Sequence, residues 1–185
     1  MRYSYHTEQW LPHPLENVFE FFADPENLPL LLPDWQQAHI DEQIILPPPP
    51  RPGPAAARDT QAAGTGSRIT LSFLPFPYAP YRMHWVAEIS DFVWNQHFCD
   101  RQISGPFAYW NHCHYISRTV RGGIPGTLIA DDLEYEIPHG LIGKLAHHLL
   151  LRRQIERIFV TRHIQLAALL ARITFPASTI QQHTS

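Results

Sequence analysis

The 185 residues suit one domain, and a 44% hydrophobic content is enough to bury a sizeable core without metals or a disulfide framework. A formal charge of -3, with Lys and Arg scattered, provides no basic stripe, so nucleic acid is not expected as a partner. The first residues, MRYSYHTEQWLPHP, lack the basic and apolar blocks of a secretory signal. The apolar stretch from Leu149 to Ile173 carries Arg152, Arg153, Glu156, Arg157, Arg162 and Arg172, which excludes a transmembrane segment and leaves only transient membrane contact open.

Arg2 to Leu11 alternates loosely and carries Tyr3, Tyr5 and Trp10, the pattern of a first strand that stops at Pro12 and Pro14. Val18, Phe19 and Phe22 then recur at helical spacing. Asp24-Pro25 breaks that helix and starts a second through Leu28, Leu31 and Leu32. A second strand is expected from Ala38 to Leu46. The segment 47–66 combines prolines with small residues, cannot bury much surface, and reads as a mobile loop insertion.

Five further strands are expected: Ser67 to Leu74, Arg82 to Ile89, Asn95 to Ile103, Phe107 to Arg118 and Thr127 to Ile137. Turn signals at Pro75, Pro77 and Pro80, Ser90-Asp91, Gly105-Pro106 and Gly122-Gly123 separate them into an antiparallel meander. From Gly140 the period becomes 3.6. Leu141, Leu145, Leu149, Ile155, Phe159, Leu166 and Leu170 form an apolar stripe beside Lys144, Arg153 and Arg157. The expected architecture is α+β, a single domain over residues 1–173 with a tail at 174–185. In it a curved antiparallel sheet of about six or seven strands wraps a long last helix, with two short helices after the first strand. A helix cannot fill the whole concave face of such a sheet, so a cavity between them is expected.

The run Pro14-Leu15-Glu16-Asn17-Val18-Phe19-Glu20-Phe21-Phe22-Ala23-Asp24-Pro25-Glu26-Asn27-Leu28 resembles the opening of START-like (SRPBCC, helix-grip) proteins. Phe98 to Phe107, then Trp110, His112 and His114, then Thr127, Asp131, Tyr135 and Pro138, is similar to the polyketide cyclase/dehydrase-like branch. The resemblance spans nearly the whole chain. It implies an apolar cavity in a superfamily of lipid and sterol carriers, ubiquinone-binding proteins, polyketide aromatase/cyclases and ring-hydroxylating oxygenase subunits; fold alone selects no activity among them.

His112, His114 and Trp110 are two apart on one strand and share a face. A regular hairpin at Gly105-Pro106 would add Asp100 and Gln102 to it, opposite Trp110 and Ala108, as a polar cluster for a ligand, a self-satisfied network, or an outer face in water. Asp131 and Tyr135, four apart on the last strand, offer an acid/base and a hydroxyl; alternatively Asp131 pairs with Arg101 or Arg118 and Tyr135 caps the core. Met83, Trp85, Ala87 and Ile89 make one apolar face, core or cavity wall. His-x-His with Asp131 or His84 supplies metal-ligand types, but no third ligand stands at a telling interval, so no metal and no cofactor are expected. His147-His148 point in different directions on the helix.

The regular register offsets Cys99 from Cys113, so both are expected as free thiols in a reducing, cytoplasmic setting. The expected ligand-binding residues are Trp85, Arg101, Gln102, Trp110, His112, His114, Asp131 and Tyr135, with His112 and Asp131 as the catalytic candidates. The functional expectation is a binding protein for a small hydrophobic or amphipathic molecule. The alternatives are a cyclase or dehydratase in the same cavity, or a partner-docking module with a filled core.

Overall fold

The computed structural model of the chain describes residues 1–52, 61–138 and 151–172. Seven strands form one curved antiparallel sheet: β1 (Arg2–Leu11), β2 (His39–Ile44), β3 (Arg68–Phe73), β4 (Met83–Val93), β5 (His97–Ser104), β6 (Tyr109–Arg121) and β7 (Ile124–Glu136). Their order is β1-β7-β6-β5-β4-β3-β2, so β2 to β7 are a meander and β1 closes onto β7. Among the described residues two α-helices pack with this sheet, α1 (Leu15–Ala23) and the long α2 (Arg152–Arg172). The expected helical residues Leu141, Lys144, Leu145, His147, His148 and Leu149, and the tail 174–185, lie outside the described residues.

Helix α1 starts where Pro14, itself extended, lends its carbonyl to the N–H groups of Asn17 and Val18. It buries Leu15, Val18, Phe19 and Phe21. Its end at Asp24 is also a start, because the Asp24 carboxylate accepts from the Glu26 N–H at 3.0 Å. In place of the second helix expected here stand three single 3-10 turns, Pro25–Asn27, Pro29–Leu31 and Asp34–Gln36. Pro25, Pro29 and Pro33 recur every fourth residue, and each lacks the N–H that an α-helical ladder would use.

The ends of the proline-rich insertion are packed, contrary to the expectation of little burial. Ala62 and Ala63 are buried against Leu15 and Phe19, and the Ala63 N–H donates to the Ala23 carbonyl at 2.9 Å. On the other flank Trp94 Nε1 donates to the Pro49 carbonyl at 2.6 Å, and Arg51 lies over the Trp94 ring while pairing with Glu20. Small residues here let the backbone approach the core closely.

Two turns differ from expectation. Strand β4 does not stop at Ser90-Asp91; it passes through a bulge there and turns at residues 94–96, where Asn95 takes a positive φ of 59°. The β5–β6 ladder ends at Arg101↔Asn111, so the connection is wider than a tight turn at Gly105-Pro106. Gln102 fills it: its amide donates to the Phe107 carbonyl at 2.7 Å and accepts from the Phe107 N–H at 3.2 Å. A Cβ at Gly105 would come 2.5 Å from the Gln102 amide oxygen, which explains the glycine there.

That wider loop shifts the ladder by two residues from the regular hairpin. Asp100 faces His112 rather than Trp110, and Cys99 faces Cys113 with Cα atoms 4.1 Å apart. The two cysteines form a disulfide, not free thiols. A reducing compartment therefore no longer follows from the cysteines. None of the described helices is long and apolar enough to cross a membrane.

Candidate functional site

Sheet and helix do not meet along their whole length. At one end Leu166 and Leu170 of α2 pack on Leu11, Val18 and Ile129; at the other, Ile155 and Phe159 pack on Leu133 and Tyr135. Beside these contacts lies a cavity of about 400 Å³. One wall is Met83, Trp85, Ala87 and Ile89 of β4, the alternating face expected as core or cavity wall. Trp85 meets Trp110 edge to face at 4.6 Å, and Phe107 lies 4.8 Å from Trp110, giving an aromatic corner.

Four of the polar residues that line the cavity, Asp100, His112, His114 and Arg162, are gathered around the two imidazoles. His112 and His114 sit two apart on β6, their rings 4.0 Å from each other. One oxygen of Asp131, brought opposite His114 by the β6–β7 register, lies 2.6 Å from His114 Nδ1 and 3.2 Å from His112 Nε2. The same oxygen is 3.3 Å from an Nη of Arg162, which reaches down from α2 and also lies 3.0 Å from His114 Nδ1. Asp100, across the hairpin, accepts from Trp110 Nε1 at 3.3 Å and turns its other oxygen toward both rings. His112, His114, Asp131 and Arg162 are all buried.

Burial by itself would push the Asp131 carboxyl up, but the Arg162 charge and the two imidazoles reverse this and hold it well below the carboxylate range. Asp100 follows the same balance: burial raises it, and the nearby His114 and His112 with the Trp110 N–H bring it below its usual value. Burial and the adjacent His114 depress His112, against the opposing pull of Asp131 and Asp100. Two carboxylates and one guanidinium therefore share the cluster with the two imidazoles. Phe22 and Phe159 flank the guanidinium at 4.8 and 5.6 Å.

Of the residues expected from sequence, Trp85, Trp110, His112 and His114 line the cavity. Asp131 touches the two histidines from behind and is not in the cavity wall. Its arginine partner is neither Arg101 nor Arg118 but Arg162; Arg101 pairs with Glu88 on the outer sheet face and Arg118 with Glu16. Arg101 is thus no cavity anchor, because alternation turns it away from Asp100. Gln102 is spent on the hairpin loop, and Tyr135 is packed among Tyr3, Phe107 and Trp110, where burial pushes its phenol to about 12. Arg162 escapes a reading of motifs, although it carries a signal: it stands in the buried series Ile155, Phe159, Leu166, Leu170, where an apolar residue belongs.

No protein-family model matches the sequence, and no curated protein matches it. Solved structures do match in shape. Norcoclaurine synthase from Thalictrum flavum superposes with a TM-score of 0.60 at 13% identity, over 94% of this chain and 88% of that one. TTHA0849 from Thermus thermophilus gives 0.56 at 16% identity, over 92% of this chain and 100% of that one. Ara h 8.0201 gives 0.55 at 11%, over 91% and 99%. The chain has the helix-grip fold. In a helix-grip domain the concave sheet face and the last helix enclose the space that the cavity and its polar cluster occupy here.

Proposed function

We propose that this helix-grip chain binds a small, largely apolar molecule with one polar end, of the kind of a lipid, an isoprenoid quinone or a polyketide-like aromatic, in the cavity beneath α2. The observation that carries the reading is the asymmetry of the cavity: an aromatic corner at Trp85, Phe107 and Trp110, and a hydrogen-bonding group at Asp100, His112 and His114. Each 100 Å² of apolar ligand surface removed from water would contribute about 2.5 kcal/mol before association costs. The polar end fixes orientation. Two cavity-lining residues, Trp85 and Gln36, have a buried polar atom without a partner among the described residues, the indole Nε1 and the amide Oε1. A ligand offering an acceptor and a donor would satisfy both. A norcoclaurine synthase of the same fold is known in complex with dopamine and hydroxybenzaldehyde, both small aromatics.

One observation favours a second reading, a cyclase or dehydratase. His112 borders the cavity and burial keeps its imidazole toward the neutral form, suited to accepting a proton. Asp131, ionised and behind the rings, would then position the imidazoles rather than carry protons. The partner-docking alternative expects a filled core, and the cavity beneath α2 favours the binding reading over it.

Tryptophan fluorescence titrated with a panel of phenols, aryl aldehydes, quinones and fatty acids tests the binding reading. Saturable one-to-one quenching is expected from at least one class, weakened about 5- to 150-fold by Trp85→Leu or Trp110→Leu as roughly 1–3 kcal/mol of contact is lost. No saturable response from any class would remove it. His112→Gln separates the two readings, since a carrier loses affinity while an enzyme loses turnover with affinity nearly intact.

A further inference from the structure

Each imidazole of the cluster shows a different nitrogen to each carboxylate. His114 Nδ1 and His112 Nε2 both face Asp131, at 2.6 and 3.2 Å, and an Arg162 Nη lies 3.0 Å from the same His114 Nδ1. The remaining nitrogens, His112 Nδ1 and His114 Nε2, both lie near one oxygen of Asp100, at 3.7 and 3.6 Å. These distances are too long for hydrogen bonds and leave room for a cation between the three atoms.

We propose that Asp100 Oδ2, His112 Nδ1 and His114 Nε2 are a three-ligand site for a first-row divalent cation, with a further coordination position open to the cavity. Two donors each about 2.0–2.2 Å from one ion stand roughly 3.3–3.7 Å apart at tetrahedral to trigonal angles, the separation found from Asp100 to each ring. One donor atom from each of Asp100, His112 and His114 lies within 4.8 Å of the other two.

The surroundings fit. Asp131 stands where a metal-bound histidine needs a carboxylate, on the far nitrogen of each ring, fixing tautomer and orientation. Trp110 Nε1 holds the other oxygen of Asp100, leaving Oδ2 for the ion. A dication held there adds positive charge at the cavity wall, which an anionic oxygen of a cavity ligand can neutralise. Two imidazoles and one carboxylate suit a zinc-like or ferrous ion better than calcium or magnesium.

No third ligand stands at a telling interval in the sequence because the third ligand is on the neighbouring strand, placed by the two-residue shift of the hairpin. His84 and Asp131, the partners that the sequence suggests, are elsewhere: His84 is exposed beside Asp41, and Asp131 lies behind the rings. The site does not depend on what fills the cavity.

Equilibrium dialysis of untagged protein against chelator-buffered Zn²⁺, with metal counted by mass spectrometry, tests it; Co²⁺ reports coordination by its visible spectrum. One ion per chain is expected. Asp100→Asn should weaken binding at least about 100-fold. Asp131→Asn should weaken it about 10- to 100-fold while the Co²⁺ band pattern persists, as for a positioning residue. Asp100 is only partly buried, so its variant remains informative if His112→Gln or His114→Gln fails to fold. Absence of a stoichiometric ion overturns the proposal. So does an unchanged affinity in Asp100→Asn, which would put the ion on exposed histidines such as His39 and His84.

Discussion

The two faces of the β5–β6 hairpin are built from the same alternation but by different chemistry. The outer face holds the Cys99–Cys113 disulfide and the Arg101–Glu88–Arg68 ion pairs, whose arginines are more than half exposed. The inner face buries His112 and His114 against Asp131 and Arg162, with Asp100 partly buried beside them. The two faces depend on each other through register. Cys99↔Cys113 is the ladder pair next to Asp100↔His112, so the covalent link outside fixes the pairing that assembles the polar cluster inside.

The largest effect comes from splitting the inner charges. Arg162→Met leaves Asp131 buried and uncompensated and should cost about 3–5 kcal/mol in urea unfolding. Adding Asp131→Leu to it should recover a substantial part, and a double mutant as unstable as Arg162→Met alone would contradict the pairing. Next is the outer staple. The disulfide closes a loop with a sequence separation of 14, so Cys99→Ser with Cys113→Ser should cost about 2–3 kcal/mol, and reductant should destabilise the parent but not the double variant.

The smallest effect belongs to the outer ion pairs. Hydrogen bonds from Arg101 and Arg68 hold the Glu88 carboxyl below its ordinary value. A carboxyl depressed by folding adds stability above its unfolded pKa of about 4.3 that is lost as pH falls through the folded value. Glu88→Gln should therefore cost under about 1 kcal/mol at neutral pH, screened by the exposure of both arginines, and nothing at low pH. A cost persisting unchanged at low pH would assign it to packing instead.

Much of the fold was legible because strands and helices print their periods in the sequence. Met83, Trp85, Ala87 and Ile89 alternate, as do Trp110, His112 and His114, and each set shares one face of the sheet. Register was not legible, since it depends on how the loop between Ser104 and Tyr109 closes, and a glutamine side chain bonding within the loop leaves no periodic trace. The two-residue shift preserved the inner face, so Asp100 still joined the histidines, while it changed every partner and brought the cysteines together. Charge pairing was hidden for another reason: Asp131 and Arg162 are far apart in the chain and meet only when α2 crosses the sheet. Arg162 itself was readable as a cation inside an apolar stripe.

Native mass spectrometry of gently purified protein, followed by extraction and identification of whatever small molecule accompanies it, tests the central claim most directly. The expected result is one largely apolar compound with a polar end per chain, displaced or weakened by Trp85→Leu and Trp110→Leu. Protein that carries no such compound, and that takes up none from a panel of lipids, quinones and aromatic polyketides, would contradict a ligand-binding cavity.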